Sequence, residues 1–253
     1  MHTKKEYIAV FDSGVGGISV LRELVKRMPN EKYLYFGDSA NAPYGSRSTQ
    51  EVRGLTMAAA DMLLQRNVKA LVVACNTATA VAINDLRAAY PDVIIIGIEP
   101  ALKMAADRFP RGTIGVMATS VTLREEKFHQ QIERFPGARV EVIPANGLVP
   151  MVEKGLLEGP EVDAYLQDAL GKYVGKLDAL VLGCTHFPFV AEAVQKVMGE
   201  KTLILDGGEG TARETERRLA EAGLCNDGPG SVQIENSAGD ARLMTLAAEL
   251  LER

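Results

Sequence analysis

The chain carries no tryptophan, only three histidines and three cysteines, and no CxxC pair. An odd, low cysteine count without a secretion signal argues against a disulfide framework. Cys75, Cys184 and Cys225 are therefore packing residues or chemistry. The apolar stretch before Asp12, in "MHTKKEYIAVFDSG", is too short for a signal-peptide core. No run approaches the ~18 apolar residues of a membrane span. These absences predict a cytoplasmic protein with no membrane partner. Basic runs are missing too: 28 Lys and Arg against 33 Asp and Glu leave a net charge of −5, which offers nucleic acid no electrostatic footprint. Neither a GxGxxG fingerprint nor a GKS/T phosphate loop occurs.

What is present is core. Of 253 residues 47% are apolar and 24% charged, enough for one large domain or two small ones. Short apolar runs alternate with helical patterns. Residues 7–11, 33–37, 70–74, 93–98, 113–118, 139–145, 179–183 and 202–206 read as strands. Several are continuously apolar, as strands covered on both faces are. Ser48 and Glu51 have capping-box spacing before a helix to about Arg66. Leu166, Ala169, Leu170, Tyr173 and Val174 fall at helical spacing, and Gly223 stops the helix before it. This β–α order predicts parallel sheet with helices on both faces. "AVFDSGVGG" and "LILDGGEGTA" echo each other, and two strands end in cysteine turns. Together they suggest two similar α/β halves, divided near Gly97–Pro100 and Asp206–Gly210.

In open α/β sheets ligands bind beyond the carboxyl ends of the strands. The turns "DSGVGG" (12–17), "GDSANAPYGSRS" (37–48), "CNTAT" (75–79), "CTHFP" (184–188) and "DGGEGTA" (206–212) all lie at such ends. Gly14, Gly16 and Gly17 read as a tight strand-to-helix turn, which leaves Asp12 unexplained. Cys225 reads as packing or surface. Cys75 and Cys184 each sit just past a strand, where a following helix N-terminus lowers a thiol pKa from about 8.5 toward neutrality. Three chemistries could use them. His186 could serve Cys184 as base for nucleophilic attack, although such partners usually come from distant parts of a chain. Cys75, Cys184 and His186 could bind zinc, but the spacing is unusual and a fourth ligand is lacking. The third is a pair of opposed acid–base groups that move a proton from one face of a carbon to the other. It explains the repetition best: substrate and product are mirror images, so two like groups must exchange roles. Proton removal beside a carboxylate needs preorganised donors. Ser13, Asn76, Thr77 and Thr185 are of the right kind.

"FDSGVGG", "GDSANAPYG", "VACNTATA" and "LGCTHFP", in this order and spacing, resemble the glutamate racemase family over nearly the whole chain. The resemblance implies a cofactor-independent racemase that interconverts L- and D-glutamate and supplies D-glutamate for peptidoglycan. It implies two similar α/β domains, residues 1–98 with 208–253 and residues 99–207, each a mostly parallel sheet flanked by helices. The active site lies in the cleft between them, and the protein is usually a homodimer. It implies Cys75 and Cys184 as the two bases, Cys75 for D-glutamate and Cys184 for L-glutamate, with Asp12 supporting the first thiol and His186 the second. Asp12, Ser13, Tyr44, Gly45, Asn76, Thr77, Thr185 and His186 match substrate-binding positions, and Glu153 matches an acid that assists His186.

Asp12 could merely cap its turn, but beside a thiol it sets protonation or holds the substrate ammonium. Tyr44 could be turn packing, its backbone and that of Gly45 touching a carboxylate. His129 reads as a helix-surface residue. The four motifs contain no arginine or lysine, so hydroxyl and backbone N–H donors must hold the carboxylates. Three departures stand out. No cysteine occurs near Ala145–Asn146, Gly207 replaces a common serine, and no N-terminal extension precedes the first motif, so dependence on a peptidoglycan-precursor activator is not expected. Two other readings fit: a racemase of the same chemistry acting on aspartate or a hydantoin, and a two-lobed small-molecule binding protein without catalysis.

Overall fold

In a computed structural model the described residues are 6–98 and 101–253. Glu99 and Pro100, on which one expected boundary falls, lie outside them. The elements run β1 (Tyr7–Asp12), α1 (Ile18–Arg27), β2 (Lys32–Gly37), α2 (Thr49–Leu64), β3 (Val68–Val73), α3 (Asn76–Ala89), β4 (Ile94–Gly97), α4 (Leu102–Arg108), β5 (Thr113–Ala118) and α5 (Ser120–Arg124). They continue α6 (Glu126–Glu133), β6 (Arg139–Pro144), α7 (Leu148–Glu153), α8 (Pro160–Leu170), β7 (Ala179–Leu182), α9 (Ala191–Met198), β8 (Leu203–Asp206), α10 (Gly208–Glu221), β9 (Ser231–Asn236) and α11 (Ala241–Glu252).

Two sheets result, one ordered β4-β3-β1-β2-β9, the other β6-β5-β7-β8, and every strand pair is parallel. Read from the other edge, the second sheet is β8-β7-β5-β6, the order of β4-β3-β1-β2. The halves share one topology, and β9 is an addition to the first. In this correspondence β3 matches β7, so the cysteine turns are equivalent. The aspartate echo is not: Asp12 ends β1, whereas Asp206 ends β8, the counterpart of β4. Its cause is local. Asp12 Oδ1 accepts from Gly14 N at 2.9 Å and Asp206 Oδ1 from Gly208 N at 2.7 Å, the same two-residue turn at unrelated places.

The strand β9 was not expected. "SVQIEN" is an edge strand whose Val232 and Ile234 are only partly buried, too weak a pattern to separate from a loop. The segment leading to it is fixed by a buried ion pair, Lys69 Nζ to Glu31 Oε2 at 2.5 Å, whose partners also take Leu224 O and Asn226 N. The expected capping box forms, with Glu51 N donating to Ser48 Oγ and Ser48 N to Glu51 Oε2. Gly223 has φ +65°, and Leu224 N returns to Leu219 O at 2.9 Å. The helix expected through Val174 is shorter: α8 ends at Leu170, Gly171–Tyr173 is one 3₁₀ turn, and Val174 is exposed. A glycine opens that turn, where helix is least favoured.

One apolar cluster runs through both halves, joining Ile8 and Val10 of β1 to Leu148 and Val152 of α7 and Leu182 of β7. The carboxyl ends of β1, β3, β5 and β7 bring their turns together there. The pairs β1/β3 and β5/β7 are where the strand order reverses in each sheet, the usual place for a ligand.

Candidate active site

A small cavity of about 40 Å³ lies between the two sets of turns. Ser13, Tyr44, Gly45, Cys75, Asn76 and Thr77 line it from one side, and Thr119, Asn146, Val149, Cys184, Thr185 and His186 from the other. Both candidate thiols, 109 positions apart, thus face one space.

Cys75 ends the loop after β3 and caps α3, its Sγ accepting from Ala78 N at 3.4 Å, while its S–H points to Ser13 Oγ at 3.6 Å. The expected fall in its pKa does not occur. Burial, followed by the charge of Asp12, pushes the thiol up to about 12, and the helix N–H and Ser13 only partly oppose this. Cys184 also departs from expectation. No α-helix begins at it; a turn and the 3₁₀ segment Phe187–Val190 intervene before α9. The support comes instead from its near neighbour. Phe187 N donates to Cys184 O at 3.0 Å, and this tight turn folds His186 back so that Nδ1 lies 3.7 Å from Cys184 Sγ.

His186 is buried, with Nε2 2.7 Å from Glu153 Oε1. Burial disfavours its charge, but the bonds to Cys184 and Glu153 outweigh this and hold the imidazole well above its ordinary value. Glu153, at the end of α7, is lowered: burial works against its charge, and His186 with the Val15 N–H at 3.0 Å overcomes it. Asp12 lies wholly buried behind the cavity and does not line it. It accepts from Gly14 N and, at 3.0 Å, from Thr185 Oγ1, and burial raises its carboxyl despite the nearby His186 charge. Glu153 is likewise behind the wall.

The glycines of "DSGVGG" have a better explanation than a tight turn. None has positive φ. A methyl group at Gly14 would collide with Glu153 Oε1, at Gly16 with His186 Nδ1 and Thr185 Oγ1, and at Gly17 with Asp12 Cβ. They are bare so that acid–base side chains can pack on the backbone. Tyr44 is both turn and wall: its hydroxyl donates to Asp38 Oδ2 at 2.7 Å while the residue lines the cavity. Gly45 leaves room for Thr119, whose Cβ would lie 2.8 Å from an added methyl.

Sequence reasoning missed Thr119, Asn146 and Val149. Thr119 follows β5 as Ser13 follows β1, so the topological match was the available signal. Thr77, Thr119 and Thr122 form a triangle of hydroxyls at 3.0, 3.1 and 3.0 Å that joins the halves. Asn76 Oδ1 is buried without a partner. Neither Arg nor Lys lines the cavity; Arg47 turns to Asn41 O at 2.6 Å. Among the described residues no three His, Cys, Asp or Glu side chains gather as metal ligands do, and no helix is long and apolar enough to cross a membrane. Cys225 is exposed, as is His129 on α6.

The family model described as Asp/Glu/hydantoin racemase matches residues 10–215. A glutamate racemase of Clostridium botulinum (strain Alaska E43 / Type E3) is 46% identical, covering 100% of this chain and 99% of its own. One from Clostridium novyi is 49% identical over 94% of this chain and 93% of its own. The fold is similar to that of a glutamate racemase of Francisella tularensis solved with D-glutamate, at TM-score 0.87 and 26% identity, over 99% of this chain and 95% of that one. By sequence and by fold, the chain belongs to the Asp/Glu/hydantoin racemase family, among its glutamate racemases.

Proposed function

We propose that this isomerase interconverts L- and D-glutamate without a cofactor by passing a proton across the α-carbon between Cys75 and Cys184. The observation that carries the reading is that two thiols, at equivalent strand ends of two sheets, line one small cavity with hydroxyl and amide donors between them.

The two thiols are tuned differently. Cys184 stands 3.7 Å from an imidazole held in its charged form, and in this reading it is the first base. Cys75, raised by burial and Asp12, rests as thiol and is the first acid. It takes the base role once a substrate ammonium lies beside it and Asp12, because a nearby positive charge favours thiolate. Asn76 Oδ1, buried and unpaired, is an acceptor suited to that ammonium. Ser13, Thr77, Thr185 and the backbone of Tyr44 and Gly45 supply donors for the two carboxylates, where charge grows as the proton leaves. The hydroxyl triangle adds Thr119 and Thr122: its three protons serve its three contacts, and giving up one contact turns one hydroxyl toward a carboxylate. Glu153 keeps His186 charged and oriented.

The two domains in this reading are residues 1–98 with 208–253 and residues 99–207. Sheet membership of the nine strands supports that division. The reading also carries a homodimer in a bacterial cytoplasm, feeding D-glutamate to peptidoglycan. Sedimentation would test the dimer. The central test is incubation of pure protein with either glutamate enantiomer in deuterated water, without pyridoxal phosphate. Cα exchange with racemisation is expected. Tight binding of glutamate without exchange would instead identify a binding protein, and a higher kcat/KM for aspartate would move the substrate.

A further inference from the structure

A chain of hydrogen bonds reaches Cys184 from a residue that touches neither thiol. Tyr35 sits on β2 opposite Val10 of β1 and is fully buried. Its hydroxyl donates to Gly14 O at 2.6 Å. That carbonyl and the Val15 N–H belong to one planar peptide group. Val15 N–H donates to Glu153 Oε1 at 3.0 Å, the same oxygen lies 2.7 Å from His186 Nε2, and His186 Nδ1 lies 3.7 Å from Cys184 Sγ. The path therefore runs from a phenol on the first sheet to a thiol on the second.

Polarisation travels along such a path. A donor on a peptide carbonyl draws density from the nitrogen and makes its N–H the better donor, so the two bonds strengthen each other. A stronger Val15 donor holds Glu153 as carboxylate, and the carboxylate holds His186. A phenol suits the role. Burial, with the nearby carboxylates of Asp12 and Glu153, keeps it protonated, so its polarity does not reverse.

We infer that Tyr35 is a positioning residue of the reaction, acting through the Gly14–Val15 peptide and Glu153 on the His186–Cys184 pair, and hence on one proton transfer more than the other. This rests on the two-thiol reading of the site.

The strand supplies its own control. Tyr33 lies two residues away on the same face of β2, equally buried, with its hydroxyl 2.8 Å from Leu24 O and 2.9 Å from Met28 O at the far end of α1. Removing either hydroxyl deletes a buried bond to a carbonyl, but only that of Tyr35 leads to a thiol. Wild type, Tyr35→Phe and Tyr33→Phe are compared in both directions with α-deuterated L- and D-glutamate. Both variants should melt lower, and only Tyr35→Phe should lose kcat/KM, roughly tenfold. Its primary isotope effect should rise with the enantiomer whose proton Cys184 removes. It should fall with the other, whose label reports the Cys75 step. Equal activity losses in the two variants, or isotope effects unchanged in Tyr35→Phe, would overturn the inference and leave the two-thiol reading standing. Wild type that racemises neither enantiomer would overturn both. If Tyr35→Phe does not fold, 3-fluorotyrosine at position 35 keeps the hydroxyl as a stronger donor. The asymmetry should then appear with opposite sign, and its absence would count against Tyr35.

Discussion

Thr185 Oγ1 donates to Asp12 Oδ2 at 3.0 Å, joining the turn that follows one thiol to the carboxylate that supports the other. The bond spans 173 positions and links the two halves behind the cavity. Asp12 is buried without a full countercharge, and burial holds its carboxyl above the ordinary range. The unfolded chain ionises this group more readily, so a cost to folding begins as pH rises through 3.8 and grows up to the raised folded value.

Asp12→Asn should therefore be more stable near neutrality and far less active. The amide oxygen keeps the Gly14 N–H, and the amide nitrogen can donate to Thr185. A thermal melt should show a rise of a few degrees that shrinks below about pH 4, with kcat/KM down by roughly 10² or more. A lower melting temperature at pH 7 would mean that Asp12 is a stabilising cap and nothing else.

Replacing the thiols separates capping from chemistry. Cys75 caps α3 through Sγ, and serine is a better N-cap than cysteine. Cys75→Ser should keep or raise the melting temperature while kcat/KM falls about 10³-fold, because an alkoxide is not available near pH 7. Cys184→Ser should lose as much activity without the gain in stability, since no helix begins at that residue. Solvent exchange at Cα surviving at wild-type rate in either variant would exclude that thiol as a base.

Glycine substitutions test the packing explanation. Gly16→Ala places a methyl against His186 Nδ1 and Thr185 Oγ1 and should cost about 1–3 kcal/mol along with most activity. Gly54→Ala is the contrast: it is exposed within α2, nothing lies within 4 Å of the added carbon, and it should stabilise by about 0.5–1 kcal/mol with kinetics unchanged. Chemical denaturation and steady-state rates of the two variants check both.

What could be read from the sequence was what depends on neighbours in the chain. Residues 70–73 of β3 are buried, and their unbroken apolar run showed it; the buried Lys69 before them was not foreseen. Ser48 and Glu51 cap each other across three residues. The thiol turns were legible because strand, cysteine and polar residues are contiguous. The collision at Gly14 was not, because Glu153 stands 139 positions away and a glycine carries no sign of what packs on it. Nor was the raised thiol of Cys75, whose cause is burial among residues from both sheets. Asp206 misled for the converse reason: its turn copies that of Asp12 locally while occupying a different place in the topology.

The buried Lys69–Glu31 pair makes a prediction away from the site. Lys69→Met leaves Glu31 charged and Leu224 O unpaired beneath the chain that returns to β9, and should cost about 3–5 kcal/mol. Lys69→Met combined with Glu31→Leu should recover part of that loss. Denaturant melts would show it, and a double variant no better than the single one would sink the argument.

The pH dependence should report the Glu153–His186 pair. Cys184, Glu153 and Asp12 are the titrating groups that face the imidazole. His186 is raised, so its contribution to stability is complete below 6.5 and is lost as pH rises through its folded value. Glu153 is lowered, so its contribution is complete above 4.5 and is lost as pH falls through its folded value. The pair contributes most between these two pH values, and there Glu153→Gln should lower the melting temperature most. The same substitution removes the charge that keeps the imidazole protonated. The basic limb of kcat/KM should then move to lower pH, because the imidazolium beside Cys184 is lost earlier. A limb that stays in place, measured with glutamate as substrate across the range where the protein remains folded, would show that Glu153 does not act through His186.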